Sequence, residues 1–193
     1  MMNGYLANPI TFLLETLITL YILAVMVRFL LQWARADFFN PISQAVVKVT
    51  QPALRPLRRV IPGYRGLDLA AVVLMILLQM LSLYLTYLIG GNYVLPVGYA
   101  FMSAIIQVLS LLFTLYTVII IIQVIMSWVN PHSHHPGVAI LHSLTDPIMS
   151  PIRRMLPDLG GLDLSPLVAL LGIQVLRMLI FPPLQALVPP LTG

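Results

Sequence analysis

Four stretches of this chain, roughly residues 9–33, 67–89, 101–129 and 164–188, are nearly unbroken runs of apolar residues. Eighteen or more such residues in a row are about what a helix needs to cross the ~30 Å hydrocarbon core of a bilayer. The runs predict four transmembrane helices and an all-α integral membrane protein. Composition agrees. The chain is 60% hydrophobic and 8% charged, with mean hydropathy +0.97, whereas a soluble domain is about a quarter charged. No Lys or Arg precedes the first run and no small-x-small site follows it, so no cleavable signal peptide is expected. The chain has no cysteine, which excludes disulfides, haem thioethers and thiolate metal sites.

The basic residues predict orientation. Arg35, Lys48, Arg55, Arg58, Arg59 and Arg65 lie between the first and second runs, and Arg153 and Arg154 between the third and fourth. Residues 1–8, 90–100 and 182–193 carry none. Positive residues stay in the cytoplasm, so both basic loops are expected there and both termini outside. The pI of 9.7 comes largely from those loops. It points to anionic lipid headgroups rather than nucleic acid, for which no fold signature appears.

The two loops are copies of one another. Residues 50–69, TQPALRPLRRVIPGYRGLDL, and 145–164, TDPIMSPIRRMLPDLGGLDL, are identical at 10 of 20 positions after a shift of 95. The same shift places Tyr21 on Tyr116, Trp33 on Trp128, Pro41 on Pro136 and Gln79 on Gln174. The repeating unit is span, loop, span, giving a first repeat over residues 1–95 and a second over 96–193. Two crossings per unit make the repeat parallel, with an expected pseudo-twofold axis along the membrane normal.

Within each loop a short amphipathic helix comes first. Ile42, Ala45, Val46 and Val49 fall on one face, with Ser43, Gln44 and Lys48 opposite. In the second copy Val138, Leu141 and Leu144 oppose His142 and Ser143. Such a segment either lies in the interface or packs beneath the bundle. Pro52 and Pro56, like Pro147 and Pro151, would each cost one uninterrupted helix a hydrogen bond. The expectation is a break, with Pro56 and Pro151 opening a second short helix. Pro62 and Pro157 stop it, Gly66 and Gly161 permit a turn, and Asp68 and Asp163 stand as N-caps of the next spans. Arg58, Arg59, Arg153 and Arg154 have two readings. They anchor topology, or they form a site for an anionic lipid head or a partner's acidic segment, a task that suits the planar guanidinium.

Polar groups inside the runs are candidates for function. Glu15 and Arg28 are too far apart on one helix to pair, about 20 Å. Arg28, whose counterpart is Gln123, can snorkel toward the basic side. Glu15 and Arg177 fall at depths close enough for an ion pair between the first and last spans, or each snorkels outward alone. Tyr21 and Tyr116 share a depth with Gln79 and Gln174, about 17–18 Å in. Tyrosine–glutamine bonds between helices or a polar permeation path are the alternatives there. His132, His134, His135 and His142 invite a metal reading, but the first repeat holds Asp37, Phe39, Asn40 and Val47 at those positions, so no metal is expected. No cofactor site and no catalytic constellation is found.

The paired PxRRxxP…GLD loops, the matched tryptophans and the two-span unit resemble the YggT family, which is similar to YlmG proteins and to chloroplast relatives. TDPIMSPIRRMLPDLGGLDLSP carries the full pattern. The first copy departs from it at Gln51, Arg65 and Ala70-Ala71. The resemblance implies a small inner-membrane protein without enzymatic activity, linked in its family to osmotic shock tolerance, cell division and assembly of a membrane cytochrome complex. The leading expectation is a scaffold or assembly factor that engages lipid or an unknown membrane protein partner. The alternative is a small ion or solute pathway, as a homo-oligomer, because four helices rarely enclose a wide pore.

Overall fold

The computed structural model describes residues 4–90, 95–129, 135–156 and 163–188. The described residues form six helices: α1 (Gly4–Trp33), α2 (Pro41–Val60), α3 (Leu69–Ile89), α4 (Val97–Val129), α5 (Pro136–Met155) and α6 (Ser165–Ala186). Four are long and apolar enough to cross a membrane: Pro9–Trp33 of α1, then α3, α4 and α6. Between 11% and 28% of the most apolar window of each is buried in protein, which leaves most of that surface for lipid. The chain is thus an all-α, multi-pass membrane protein in two tandem span–helix–span repeats.

The packing follows from where side chains can be withdrawn from lipid. Ile22, Val25, Met26, Leu30 and Leu31 of α1 meet Leu74 and Met75 of α3, Ile119 and Ile120 of α4, Leu54 of α2 and Leu144 and Met149 of α5. This core lies in the half of the bundle nearest α2 and α5. Ala70, Ala71, Ala100 and Ala104 are fully buried, as expected where helices in a membrane approach closely without a hydrophobic driving force. An edge-to-face contact of Phe113 with Phe181, 5.8 Å between ring centres, joins α4 to α6.

The four spans form an open row, α1–α3–α4–α6. Neighbours in the row pack together, and α1 also reaches α4, but α1 and α6 have no Cα atoms within contact range of each other among the described residues. The expected pseudo-twofold holds inside the repeats, where α1–α2–α3 and α4–α5–α6 repeat the same contacts. It fails between them: α3 packs on α4, but its equivalent, α6 on α1, is missing.

The expected breaks at Pro52, Pro56, Pro147 and Pro151 are not there. Each pair lies inside one continuous helix, α2 or α5. All four prolines sit on exposed faces of their helices, and each removes the amide that would bond the carbonyl four residues back, as at Lys48 and Ser143. Carbonyls beside the first gap take side-chain donors instead. Val47 O accepts from Arg28 at 3.2 Å and Val49 O from the Tyr21 hydroxyl at 3.4 Å. Pro41 and Pro136 open their helices at the first position, where a missing amide costs nothing.

Of the two expected placements of α2, the structure shows packing against the bundle. Ser43, Thr50 and Leu54 are fully buried against the bundle, while Ile42, Val49 and Val60 are exposed. Ser43, expected on the polar side, therefore faces protein. In α5 the buried set is Ile140, Leu144, Thr145 and Met149. The two helices touch, and Asn40 Nδ2 donates to Pro136 O at 2.8 Å across the repeats.

Candidate functional site

Each loop is closed by an arginine on a carboxylate. In the first repeat the chain leaves α2 at Ile61 and Pro62 and turns back over Tyr64–Leu67, whose backbones exchange hydrogen bonds of 3.0 and 2.9 Å. Arg65 and Gly66 hold φ of 50° and 84°, the two consecutive positive values of a type I′ turn. Gly66 adopts this at no steric cost, and the Arg65 guanidinium rests 5.3 Å above the Tyr64 ring. Gln32 Nε2 donates to Gly66 O at 3.2 Å and ties the turn to α1. Asp68, 5% exposed, then accepts three hydrogen bonds. Its Oδ1 takes the Ala71 amide of α3 at 3.3 Å, and its Oδ2 takes Nε of Arg58 at 3.2 Å and also Nη2.

The second repeat builds the same clamp more openly. Arg153 Nε lies 3.0 Å from Asp163 Oδ2, with both side chains more than two-fifths exposed. Asp163 stands one residue before the cap position, which Leu164 occupies without a side-chain bond, and accepts the Ser165 amide at 2.9 Å. Burial pushes the Asp163 carboxyl up. Hydrogen bonds from Ser165, then Arg153, outweigh that and hold it below its usual 3.8. Pro157 and Gly161 lie outside the described residues. The departures at Gln51, Arg65 and Ala70-Ala71 do not weaken the first clamp, whose carboxylate is the more deeply buried of the two.

The four arginines therefore divide. Arg58 and Arg153 are bound to carboxylates, while Arg59 and Arg154 are exposed and make no hydrogen bond or ion pair among the described residues.

Arg28 does not snorkel. It is 6% exposed and turned into α2, where it donates to Val47 O at 3.2 Å, Thr50 Oγ1 at 2.9 Å and Gln51 Oε1 at 2.6 Å. Its counterpart Gln123 pairs with His142 Nδ1 at 3.0 Å. His135 Nδ1 accepts the Gly137 amide at 3.1 Å and so caps α5 as its counterpart Asn40 caps α2. Those bonds account for the two histidines. His132 and His134 lie outside the described residues.

The expected tyrosine–glutamine pairs are absent. Tyr21 bonds α2, the buried Tyr116 hydroxyl has no partner, and Gln174 is exposed without one among the described residues. Gln79 Nε2 instead donates to Gln107 Oε1 on α4 at 2.6 Å. Glu15 and Arg177 do not meet, because their helices stand at opposite ends of the row. Glu15 accepts from Thr86 Oγ1 at 2.8 Å, and Arg177 donates to Ser110 O at 3.2 Å and Thr114 Oγ1 at 2.7 Å. Thr19, Gln79, Gln107, Ser110 and Thr114 line a polar cavity of about 220 Å³ among α1, α3 and α4. The sequence reading missed Thr19, Gln107, Ser110 and Thr114. The spacing of 107, 110 and 114 along one helical face was the available signal.

The family comparison covers the parts that this geometry repeats. The CCB3/YggT family model matches residues 7–89 and again 102–184. The chain is 44% identical to an uncharacterized protein of Pseudomonas aeruginosa over 91% of its length and 90% of that protein's. It is 41% identical to an uncharacterized protein encoded in the proC 3′ region of Vibrio alginolyticus, over 89% of this chain and 93% of the relative. It is 37% identical to the uncharacterized protein YggT of Escherichia coli K12 over 93% of both. No solved structure matches it. With the family model matched once in each two-span repeat, the chain belongs to the CCB3/YggT family.

Proposed function

We propose that this protein is a non-enzymatic scaffold or assembly factor of the bacterial inner membrane that supports tolerance of osmotic shock. In this reading both clamped loops face the cytoplasm and both termini lie outside. The observation that carries it is the division of labour within each Arg-Arg pair. Arg58 and Arg153 are paired with Asp68 and Asp163, while Arg59 and Arg154 are exposed and free to meet an acidic segment of a membrane protein. A guanidinium carried on the last turn of a helix loses less entropy on gripping a carboxylate than one on a floppy segment.

The test separates the two arginines of each pair. Arg59→Gln with Arg154→Gln should leave the amount of protein in the membrane unchanged and abolish its contribution in an osmotic-challenge assay. Wild-type performance of that double variant would overturn the reading.

The polar cavity supports a second reading, a small solute pathway. Its support is the gathering of five polar side chains, Thr19, Gln79, Gln107, Ser110 and Thr114, in one place among the spans. Flux into liposomes holding purified protein, lost on Gln107→Leu, would favour it; flux no faster than in empty liposomes would remove it.

A further inference from the structure

An open groove of about 610 Å³ runs along α2; its floor is mostly apolar, from Phe38, Val47 and Pro52, and Gln44, Lys48, Gln51 and Arg55 complete its lining. Lys48 and Arg55 are seven residues apart, two helical turns, so both ammonium and guanidinium border the same trough. Behind its wall lies the buried Arg28, held by Val47, Thr50 and Gln51; Val47 and Gln51 also line the groove. All three of those acceptors are neutral oxygens. Among the described residues no carboxylate forms an ion pair with Arg28, Lys48 or Arg55, and the nearby Asp68 is taken by Arg58. A guanidinium withdrawn from water whose nearest carboxylate is already paired elsewhere is only partly compensated, and a further anion close by would favour it.

The second repeat lacks this arrangement. The positions matching Arg28, Lys48, Gln51 and Arg55 are Gln123, Ser143, Asp146 and Ser150. Three cations become none, and an acid stands in the middle. The cationic groove is therefore not a by-product of the shared fold. It belongs to the first repeat alone.

We propose that this groove binds a phosphate group, with Lys48 and Arg55 as its direct ligands and Arg28 supplying charge from behind through the Gln51 amide. The same helix presents Ile42, Val49 and Val60 on its exposed apolar edge. That edge suits acyl chains, and the groove beside it suits the head of an anionic phospholipid. The proposal rests on the membrane reading for the source of the phosphate, but it does not use Arg59 or Arg154.

The experiment takes the purified full chain and measures binding of phosphatidylglycerol vesicles, phosphatidylcholine vesicles and inorganic phosphate at low and high salt. Lys48 and Arg55 are exposed, so Lys48→Gln/Arg55→Gln should fold and insert normally. The double variant should weaken binding by about 30-fold, roughly fivefold for each cation near an anionic surface. Arg59→Gln/Arg154→Gln should leave it unchanged. Binding of phosphatidylglycerol over phosphatidylcholine that falls in the groove variant supports a lipid source. Binding of inorganic phosphate that falls in the same variant supports a soluble phosphate in the same groove. If neither arm depends on Lys48 and Arg55, or if Arg59→Gln/Arg154→Gln removes the binding instead, the groove is not the site. The osmotic phenotype of the Arg59 and Arg154 variants is a separate readout, so the two proposals fail separately.

Discussion

Neighbouring residues on a helix point about 100° apart, and that rotation separates Arg58, turned onto Asp68, from Arg59, turned outward. The capping role of Asp68 was legible because an acid just before an apolar run has free amides waiting for it. Its second role was not, because the partner ten residues upstream arrives only when the turn at Arg65 and Gly66 has folded back. The clamp makes a pH prediction for the more open copy. A carboxyl whose folded value lies below its unfolded value adds stability above the unfolded value and loses it as pH falls through the folded one. Asp163 should therefore titrate below 3.8, and the second loop should loosen only in acid beneath that. Carbon-13 carboxyl titration of the full protein is the measurement. Arg153→Gln should move the midpoint upward, and a wild-type midpoint above 3.8 would contradict the clamp.

At the scale of elements, the rule that proline ends a helix misjudged α2 and α5. The rule is about energy, roughly 3 kcal/mol for an interior proline, and energy can be recovered locally. Here the rings lie on exposed faces, and side chains from α1 bond carbonyls beside the gap. Neither fact is visible in a sequence window, since both depend on which face of α2 meets α1. A Pro52→Ala change should keep α2 continuous and raise thermal stability in detergent, by up to about 3 kcal/mol if nothing else shifts. Destabilisation by that change would mean that Pro52 is required to present Val47 O and Val49 O to Arg28 and Tyr21. The four spans, by contrast, were legible to within a few residues, because length and apolarity alone decide whether a helix can sit in lipid.

On the scale of the whole molecule, the open row governs which charges can meet. Because the chain has no cysteine, engineered pairs report on it cleanly. Gln79→Cys with Gln107→Cys should join within one chain under a short bifunctional maleimide, since the native side chains lie 2.6 Å apart. Glu15→Cys with Arg177→Cys should not join within one chain, and an efficient intramolecular product there would refute the row. The sequence by itself determined the spans, the tandem repeat, the identity of the loops and the cap at Asp68. Those features rest on local composition and on hydrogen bonds between near neighbours. Tertiary structure alone decided that Glu15 and Arg177 stand apart, that Arg28 turns into α2 and that Gln79 meets Gln107. Depth along a helix can be counted from the sequence, but the direction a side chain faces, and which helix stands there, is set by how the six helices share out the little surface they withdraw from lipid.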